Sequence, residues 1–231
     1  SKCAISEQMH CVTCHTSSGR YRFKSDVNAE ANKACINCHA KKVEFVDQHS
    51  HHPLTEQGPR CIDCHMPMTT FGHMNRTDHS TRPPMPSATI KFSSPNACNI
   101  CHKDKTPQWA DKQVRTWHKD NYQAETLYIG SLIDDAKKQK WARVDEMLKA
   151  ISTNKYGDVF TNSLIRLLFN YNGDKKFLTL MKACTQVSPL VRSSAVNGLI
   201  GNRSDEAKKT LLKAAEDPIR LVRLAAASSL S

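Results

Sequence analysis

From Thr106 to the end of the chain, apolar residues recur at helical spacing. The pattern predicts a first helix with Thr106 as its N-cap and Pro107 in its first turn. Further helices are expected over 123–138, 141–153, 158–171, 174–187, 189–201, 204–216 and 218–230. The spacing therefore predicts a mainly α structure for this part of the chain.

The last part of the chain repeats itself with an offset of 31 residues. Val191, Arg192, Ala195 and Leu199 recur as Val222, Arg223, Ala226 and Leu230, and Phe160, Leu164 and Leu168 fit one step earlier. Paired helices with such a period are typical of an α-solenoid of HEAT-like repeats, in which each unit packs on the next. An irregular helical bundle with a coincidental match is the alternative. The last unit stops at Ser231 after one helix, so we expect the repeat domain to be truncated.

The first 105 residues have a different texture, rich in Ser, Thr, Asn and Pro. They show no amphipathic pattern longer than a few turns, and the four prolines of 81–96 predict an extended loop. We predict a domain of low secondary-structure content over 1–105, a connecting helix over 106–122 and the helical-repeat domain over 123–231. The first domain needs apolar surface from outside its own side chains to fold.

Eight of the ten cysteines form four copies of one pattern, Cys-x-x-Cys-His, which is the attachment signal for c-type haem. Two thiols about one helical turn apart can form thioethers to one porphyrin edge, and the following His can bind the iron. A zinc site or a redox-active pair would not require the His four times. The predicted thioether residues are Cys11, Cys14, Cys35, Cys38, Cys61, Cys64, Cys98 and Cys101, and the predicted proximal ligands are His15, His39, His65 and His102.

Four covalently bound haems c would supply the missing apolar core, and their density along the chain predicts close contact between neighbouring rings. The second axial position of each iron decides between an electron carrier and an enzyme, because an open iron can bind a substrate. Seven further histidines could fill these positions: His10, His49, His51, His52, His73, His79 and His118.

Among these, His49 and His52 are favoured because residues three apart share a helical face. His10 adjoins Cys11, so it could serve only a neighbouring haem. If each haem takes a distal His, all four irons are low-spin. The surplus histidines, His51, His73 and His118, could replace any of the favoured ligands.

Other sulfur-bearing residues are weaker candidates. Met66, Met68, Met74 and Met85 surround the third motif and are expected to pack against porphyrin edges rather than to bind iron. Cys184 lies in an apolar helical pattern and is expected in the core, although a disulfide with Cys3 is allowed in an oxidising compartment.

Three segments of the first half carry a resemblance to a known family. They are Cys61-Ile-Asp-Cys64-His65-Met66-Pro67, then Asp78-His79-Ser80, and then Pro95-Asn96-Ala97-Cys98-Asn99-Ile100-Cys101-His102. They resemble the multihaem c-type cytochromes that carry a helical-repeat tail of the HEAT or tetratricopeptide kind. The resemblance implies that His79 is a distal ligand and again favours His49 and His52. It also implies an electron carrier or a subunit of a larger redox system.

The chain carries a formal net charge of +11 and has a pI near 9.2. Propionates and ferric irons of four haems would leave roughly +7, which favours docking to an acidic redox partner or an anionic membrane. No nucleic-acid motif accompanies the charge, and no apolar run is long enough to span a bilayer. Because c-type haem is attached outside the cytoplasm, we expect a prokaryotic protein of the periplasm, the extracellular space or the cell surface.

These observations favour a tetrahaem electron-transfer protein over an enzyme. All four motifs end in His, and no unusual residue distinguishes one haem as catalytic. The alternative is an oxidoreductase that acts on a small nitrogen or sulfur oxyanion at one five-coordinate haem. Two other hypotheses are a haem filament, in which a His of one subunit binds a haem of the next, and a scaffold whose main function lies in the repeats.

Overall fold

The computed structural model describes residues 10–16, 28–53 and 60–231. It is mainly helical, which confirms the predicted fold class. The chain divides into two compact units, residues 1–121 and 122–231. The finer division into a haem domain, a connecting helix and a repeat domain stays a prediction.

The first unit holds short helices joined by longer connections. They are α1 (Cys11–Cys14), α2 (Asn28–Glu44), α3 (Val46–Ser50), α4 (Cys61–His65), α5 (Pro86–Phe92), α6 (Cys98–Cys101) and α7 (Pro107–Trp117). Helix α7 begins as predicted: the Thr106 hydroxyl accepts a hydrogen bond from the backbone N–H of Trp109, and Pro107 occupies the first turn. α5 packs against α7, where Arg115 binds both Asp111 and Ser87.

Two expectations for the first 105 residues are wrong. Helix α2 is 17 residues long, although a kink at His39 (φ −126°, ψ 34°) divides it. The stretch 81–96 is not wholly extended, because it contains α5 with Pro86 in the first turn. Proline fits there because the first helical N–H has no intrahelical partner.

Strands β1 (Met68–Phe71) and β2 (Met74–Thr77) form an antiparallel hairpin that the sequence analysis missed. Gly72 and His73 form its two-residue turn, with φ of 54° and 62°. Two successive positive φ angles give a turn whose twist matches that of the strands. The signal was the glycine between two short segments rich in Thr and apolar residues.

The second unit consists of helices of 9–14 residues joined by short turns. They are α8 (Ala124–Lys137), α9 (Val144–Thr153), α10 (Asp158–Leu167), α11 (Lys175–Ala183), α12 (Pro189–Asn197), α13 (Asp205–Ala214) and α14 (Arg220–Leu230). Short 3₁₀ turns, Trp141–Arg143 and Leu168–Asn170, adjoin α9 and α10. Each helix lies within a predicted segment.

Contacts order these helices in two rows. In one row α8 contacts α10, α10 contacts α12 and α12 contacts α14, and in the other α9 contacts α11 and α11 contacts α13. The core between them includes Ile151, Leu164 and Leu199, each with 0% exposure.

The 31-residue offset reappears in hydrogen bonds. Arg192 donates from Nη1 to the carbonyls of Gln186 and Val187, and Arg223 donates from Nη1 to those of Asp217 and Pro218. Each acceptor in the second set lies 31 residues after its counterpart in the first. Equivalent arginines thus anchor equivalent turns, while the classification as a HEAT-like solenoid stays a prediction.

Replacing Asp217 by asparagine is expected to lower the free energy of unfolding by about 2 kcal/mol at pH 7. Asp217 accepts two hydrogen bonds from Arg192, at 2.7 and 2.9 Å, and the two side chains are only 11% and 13% exposed. The Arg192 guanidinium lowers the pKa of the Asp217 carboxyl. Its contribution is therefore complete above the ordinary pKa of 3.8 and is lost as the pH falls through the lowered folded-state pKa.

Urea unfolding at several pH values checks this prediction. The variant and the parent should differ at pH 7 and converge in acid. The control is Asp134→Asn, which removes an exposed pair with Lys138 and should cost less than about 0.5 kcal/mol. A difference between D217N and the parent that persists unchanged in acid would contradict the role of the carboxylate.

Candidate functional site

All four Cys-x-x-Cys pairs lie in helical backbone, in α1, α2, α4 and α6. Both thiols of a pair are therefore separated by about one turn, as attachment to one porphyrin edge requires. His15 and His102 lie one residue beyond α1 and α6, His65 ends α4, and His39 lies at the kink of α2. The backbone thus leaves the helix at or just after each His.

The second, third and fourth motifs lie side by side. The buried Asn32 of α2 accepts a hydrogen bond from the backbone N–H of Cys61, at 3.0 Å, so a side chain from the second motif's helix caps the third motif's helix. The thiols of Cys35 and Cys61 hydrogen-bond each other. These contacts bring the attachment points of the second and third motifs together.

On its other side, the third motif adjoins the fourth. Cys64 interacts electrostatically with Cys98 and Cys101, and burial with these neighbours raises its pKa to about 11. A thioether does not titrate, so what matters for an attached haem is the proximity itself. The attachment points follow one another in the order second, third, fourth.

Three of the four proximal histidines face a second imidazole from a distant part of the chain. The ring centres are 6.2 Å apart for His15 and His79, 6.0 Å for His49 and His65, and 6.0 Å for His52 and His102. The angles between the ring planes are 28°, 6° and 41°. His49, His52 and His79 are three of the four distal ligands that the sequence predicts.

This spacing fits an iron between the rings. A metal–imidazole bond of about 2 Å and a ring radius of about 1.1 Å place two imidazoles on one metal about 6.3 Å apart, centre to centre. His118 also lies 6.3 Å from His49, at 61°, but it does not follow a Cys-x-x-Cys pair. His65 is therefore the partner of His49 that fits a c-type haem.

Hydrogen bonds set the free nitrogen of three of these rings. Nδ1 lies 2.6 Å from the Ser50 carbonyl in His52, 3.2 Å from the Arg82 carbonyl in His65 and 2.8 Å from the Thr77 carbonyl in His79. A carbonyl oxygen can only accept, so Nδ1 carries the proton and donates. Nε2 is then left unprotonated, which is the arrangement found in metal-binding histidines.

The pair His49 and His65 is the most protected. Burial lowers the pKa of both imidazoles, with the Lys42 charge adding to the effect on His49. The neutral form, which binds iron, is thereby favoured. Nδ1 of His49 is buried without a hydrogen-bond partner among the described residues, so this ring keeps a polar atom for a further ligand.

Comparison with protein families agrees with this site. Residues 44–156 match the model of cytochrome c552, and residues 4–44 match that of the doubled CXXCH motif. The chain is a multihaem c-type cytochrome. No curated protein and no solved structure matches it significantly.

In this cytochrome, covalent binding of haem c through the CXXCH motifs is confirmed as a prediction. The third and fourth motifs, with His49, His52 and His79, fall inside the cytochrome c552 match. The individual ligands and the number of haems remain predictions.

The structure separates the remaining histidine candidates. His51 stacks on Trp117, with ring centres 4.4 Å apart, and His73 is exposed in the hairpin turn. His10 precedes α1, where it is exposed and forms no ring pair with another described histidine. Three of the four favoured distal histidines are therefore paired with proximal ones, and His10 is not.

The reason given for choosing His49 and His52 is wrong, although both are paired. They do not share a helical face, because α3 ends at Ser50 and His51 adopts a left-handed conformation with φ of 56°. The break turns His49 and His52 toward different motifs.

The cysteines outside the motifs have separate fates. Cys184 is a buried free thiol in the second unit, as expected for a core residue, and burial raises its pKa to about 12. Cys3 lies outside the described residues, and so does the disulfide considered for it.

Several supporting residues carried no sequence signal. Trp109 lies 4.9 Å from His102, centre to centre, and Asn32 caps α4 from 29 residues away. Asn96 is buried and bonds Thr89 and Asn99, which holds the start of α6. A polar residue that caps a distant helix cannot be distinguished by spacing from a solvated one.

Proposed function

We propose that this cytochrome is an exported tetrahaem electron-transfer protein. It binds four haems c covalently and carries electrons between a redox partner and a second donor or acceptor. When bound, haem supplies an iron that accepts and releases one electron. The protein contributes the attachment cysteines, the axial imidazoles and the spacing between haems.

The pairing of imidazoles is the observation that carries this proposal. Three proximal histidines each have a histidine opposite at 6.0–6.2 Å, the separation that one iron between two rings requires. Two imidazoles on one iron fill both axial positions and leave no place for a substrate. Such haems transfer electrons rather than catalyse bond chemistry.

Close attachment points support transfer between haems. The thiol contact of Cys35 with Cys61, and the proximity of Cys64 to Cys98 and Cys101, favour adjacent rings in the order second, third, fourth. His79, which lies opposite His15, follows the hairpin after the third motif and so ties the first motif to the third. The chain thus favours a connected set of haems.

Charge supports the choice of partner. The formal charge of +11 remains basic after correction for four haems, and a basic surface attracts an acidic redox protein or an anionic membrane over long range. Among the described residues, no helix is long and apolar enough to cross a membrane. Attachment of haem outside the cytoplasm supports a location in the periplasm, at the cell surface or outside the cell.

The second unit would serve as the docking element. Its two rows of helices and the Arg bonds repeated after 31 residues support a HEAT-like repeat, an architecture whose surfaces commonly bind other proteins. Assembly of the cytochrome into filaments is a variant of the same function.

One observation favours an enzyme as a second candidate. His39, the proximal histidine of the second motif, has no histidine ring opposite it in the part of the chain that the structure describes. An iron bound there could reduce a small nitrogen or sulfur oxyanion, with the other haems as its electron supply.

Haem counting with a redox titration tests the proposed function. Intact mass and haemochrome absorbance should give four haems per chain, and all four should be reduced and reoxidised reversibly in a potentiometric titration. Fewer than four haems would contradict the assignment of the motifs. Irons that cannot be reduced and reoxidised reversibly would contradict electron transfer.

A further inference from the structure

The second motif differs from the other three in its surroundings. All eleven histidines of the chain lie within the described residues, so the search for a partner of His39 covers every histidine. His15, His65 and His102 each have one at 6.0–6.2 Å, whereas His39 has none.

The other histidines are held elsewhere. His49, His52 and His79 face the three other proximal rings. His51 stacks on Trp117, and His118 lies beside His49.

Two histidines remain, and each is exposed at a turn. His10 precedes α1, and His73 lies at the tip of the hairpin, where a left-handed backbone conformation holds it. Neither pairs with a described ring, so neither occupies the position opposite His39.

His39 itself is exposed, and the kink of α2 occurs at this residue. By contrast, His65 and His49 are half-buried and desolvated. The second motif therefore lies toward solvent while its thiol Cys35 contacts Cys61 of the third motif. A ligand bound at the second motif would be reachable from water and adjacent to an electron-carrying haem.

We propose that the haem of the second motif is five-coordinate, with His39 as its only protein ligand, and that it binds a small external molecule at its open axial position. The ligand class is one that bonds to iron through a single atom, such as carbon monoxide on ferrous iron or cyanide on ferric iron. This inference rests on the proposed function, because it requires haem at all four motifs. It adds an external ligand site to a protein otherwise built for electron transfer.

Carbon monoxide titration of the fully reduced cytochrome tests the proposal, with the haem content measured on the same sample. We expect one carbon monoxide per four haems, with a shift in about one quarter of the Soret absorbance. Four haems with no carbon monoxide bound would overturn the open site and leave the proposed function standing. Fewer than four haems would contradict the proposed function itself.

Variants locate the site. His39→Gly removes the imidazole opposite the bound ligand, so it should shift the carbon monoxide stretching frequency, and an unchanged frequency would place the ligand on another haem. His10→Ala and His73→Ala should still bind one carbon monoxide per molecule. A second equivalent in either variant would show that the replaced histidine binds an iron, which would contradict the pairing described above.

Discussion

Replacing His49 by alanine is expected to double the carbon monoxide bound per molecule, from one to two, and to convert one further iron from low-spin to high-spin. His49 lies 6.0 Å from His65 with nearly parallel rings and fits the sixth ligand of the third haem. Alanine cannot bind iron, so the axial position opposite His65 would open. Titration of the reduced variant and the high-spin absorbance of its oxidised form measure the change.

His51→Ala is the matched control, since His51 lies two residues away and stacks on Trp117. This variant should bind one carbon monoxide, as the parent does. If His49→Ala stayed as low-spin as His51→Ala, another group would be the ligand of the third haem. His118, 6.3 Å from His49, would then be the next residue to replace.

Replacing Leu164 by alanine is expected to lower the free energy of unfolding of the second unit by about 3 kcal/mol. Leu164 is 0% exposed in α10, a helix that contacts α8, α9 and α12. Shortening the side chain leaves a cavity where the two rows of helices meet, and the neighbours can close it only in part. Urea unfolding followed by far-ultraviolet circular dichroism measures the loss.

Leu178→Ala is the control for this substitution. Leu178 lies on α11 with 60% of its surface exposed, so its truncation should change the free energy of unfolding by less than about 0.5 kcal/mol. Equal effects of the two variants would contradict the packing described for α10.

The sequence alone predicts the parts of this molecule that depend on local patterns. The four motifs require only the spacing of Cys and His, and the helices of the second unit require only apolar periodicity and capping residues such as Thr106. Both are local properties, and the structure has helices in all the segments where the pattern predicts them.

The pairing of axial histidines could not be predicted in the same way. His15 and His79 are 64 residues apart, and nothing in their local sequence indicates that their rings lie 6.2 Å apart. The Pro-rich stretch and the hairpin were missed because backbone geometry decided them: Pro86 opens a helix, and Gly72 permits the positive φ of a tight turn.

The central claim is that histidine pairs of this chain hold three of four haem irons. Low-temperature paramagnetic resonance of the oxidised cytochrome, integrated against its haem content, tests it most directly. The account predicts three low-spin irons and one high-spin iron per molecule. Fewer than three low-spin irons would contradict the pairing of His15 with His79, His65 with His49 and His102 with His52.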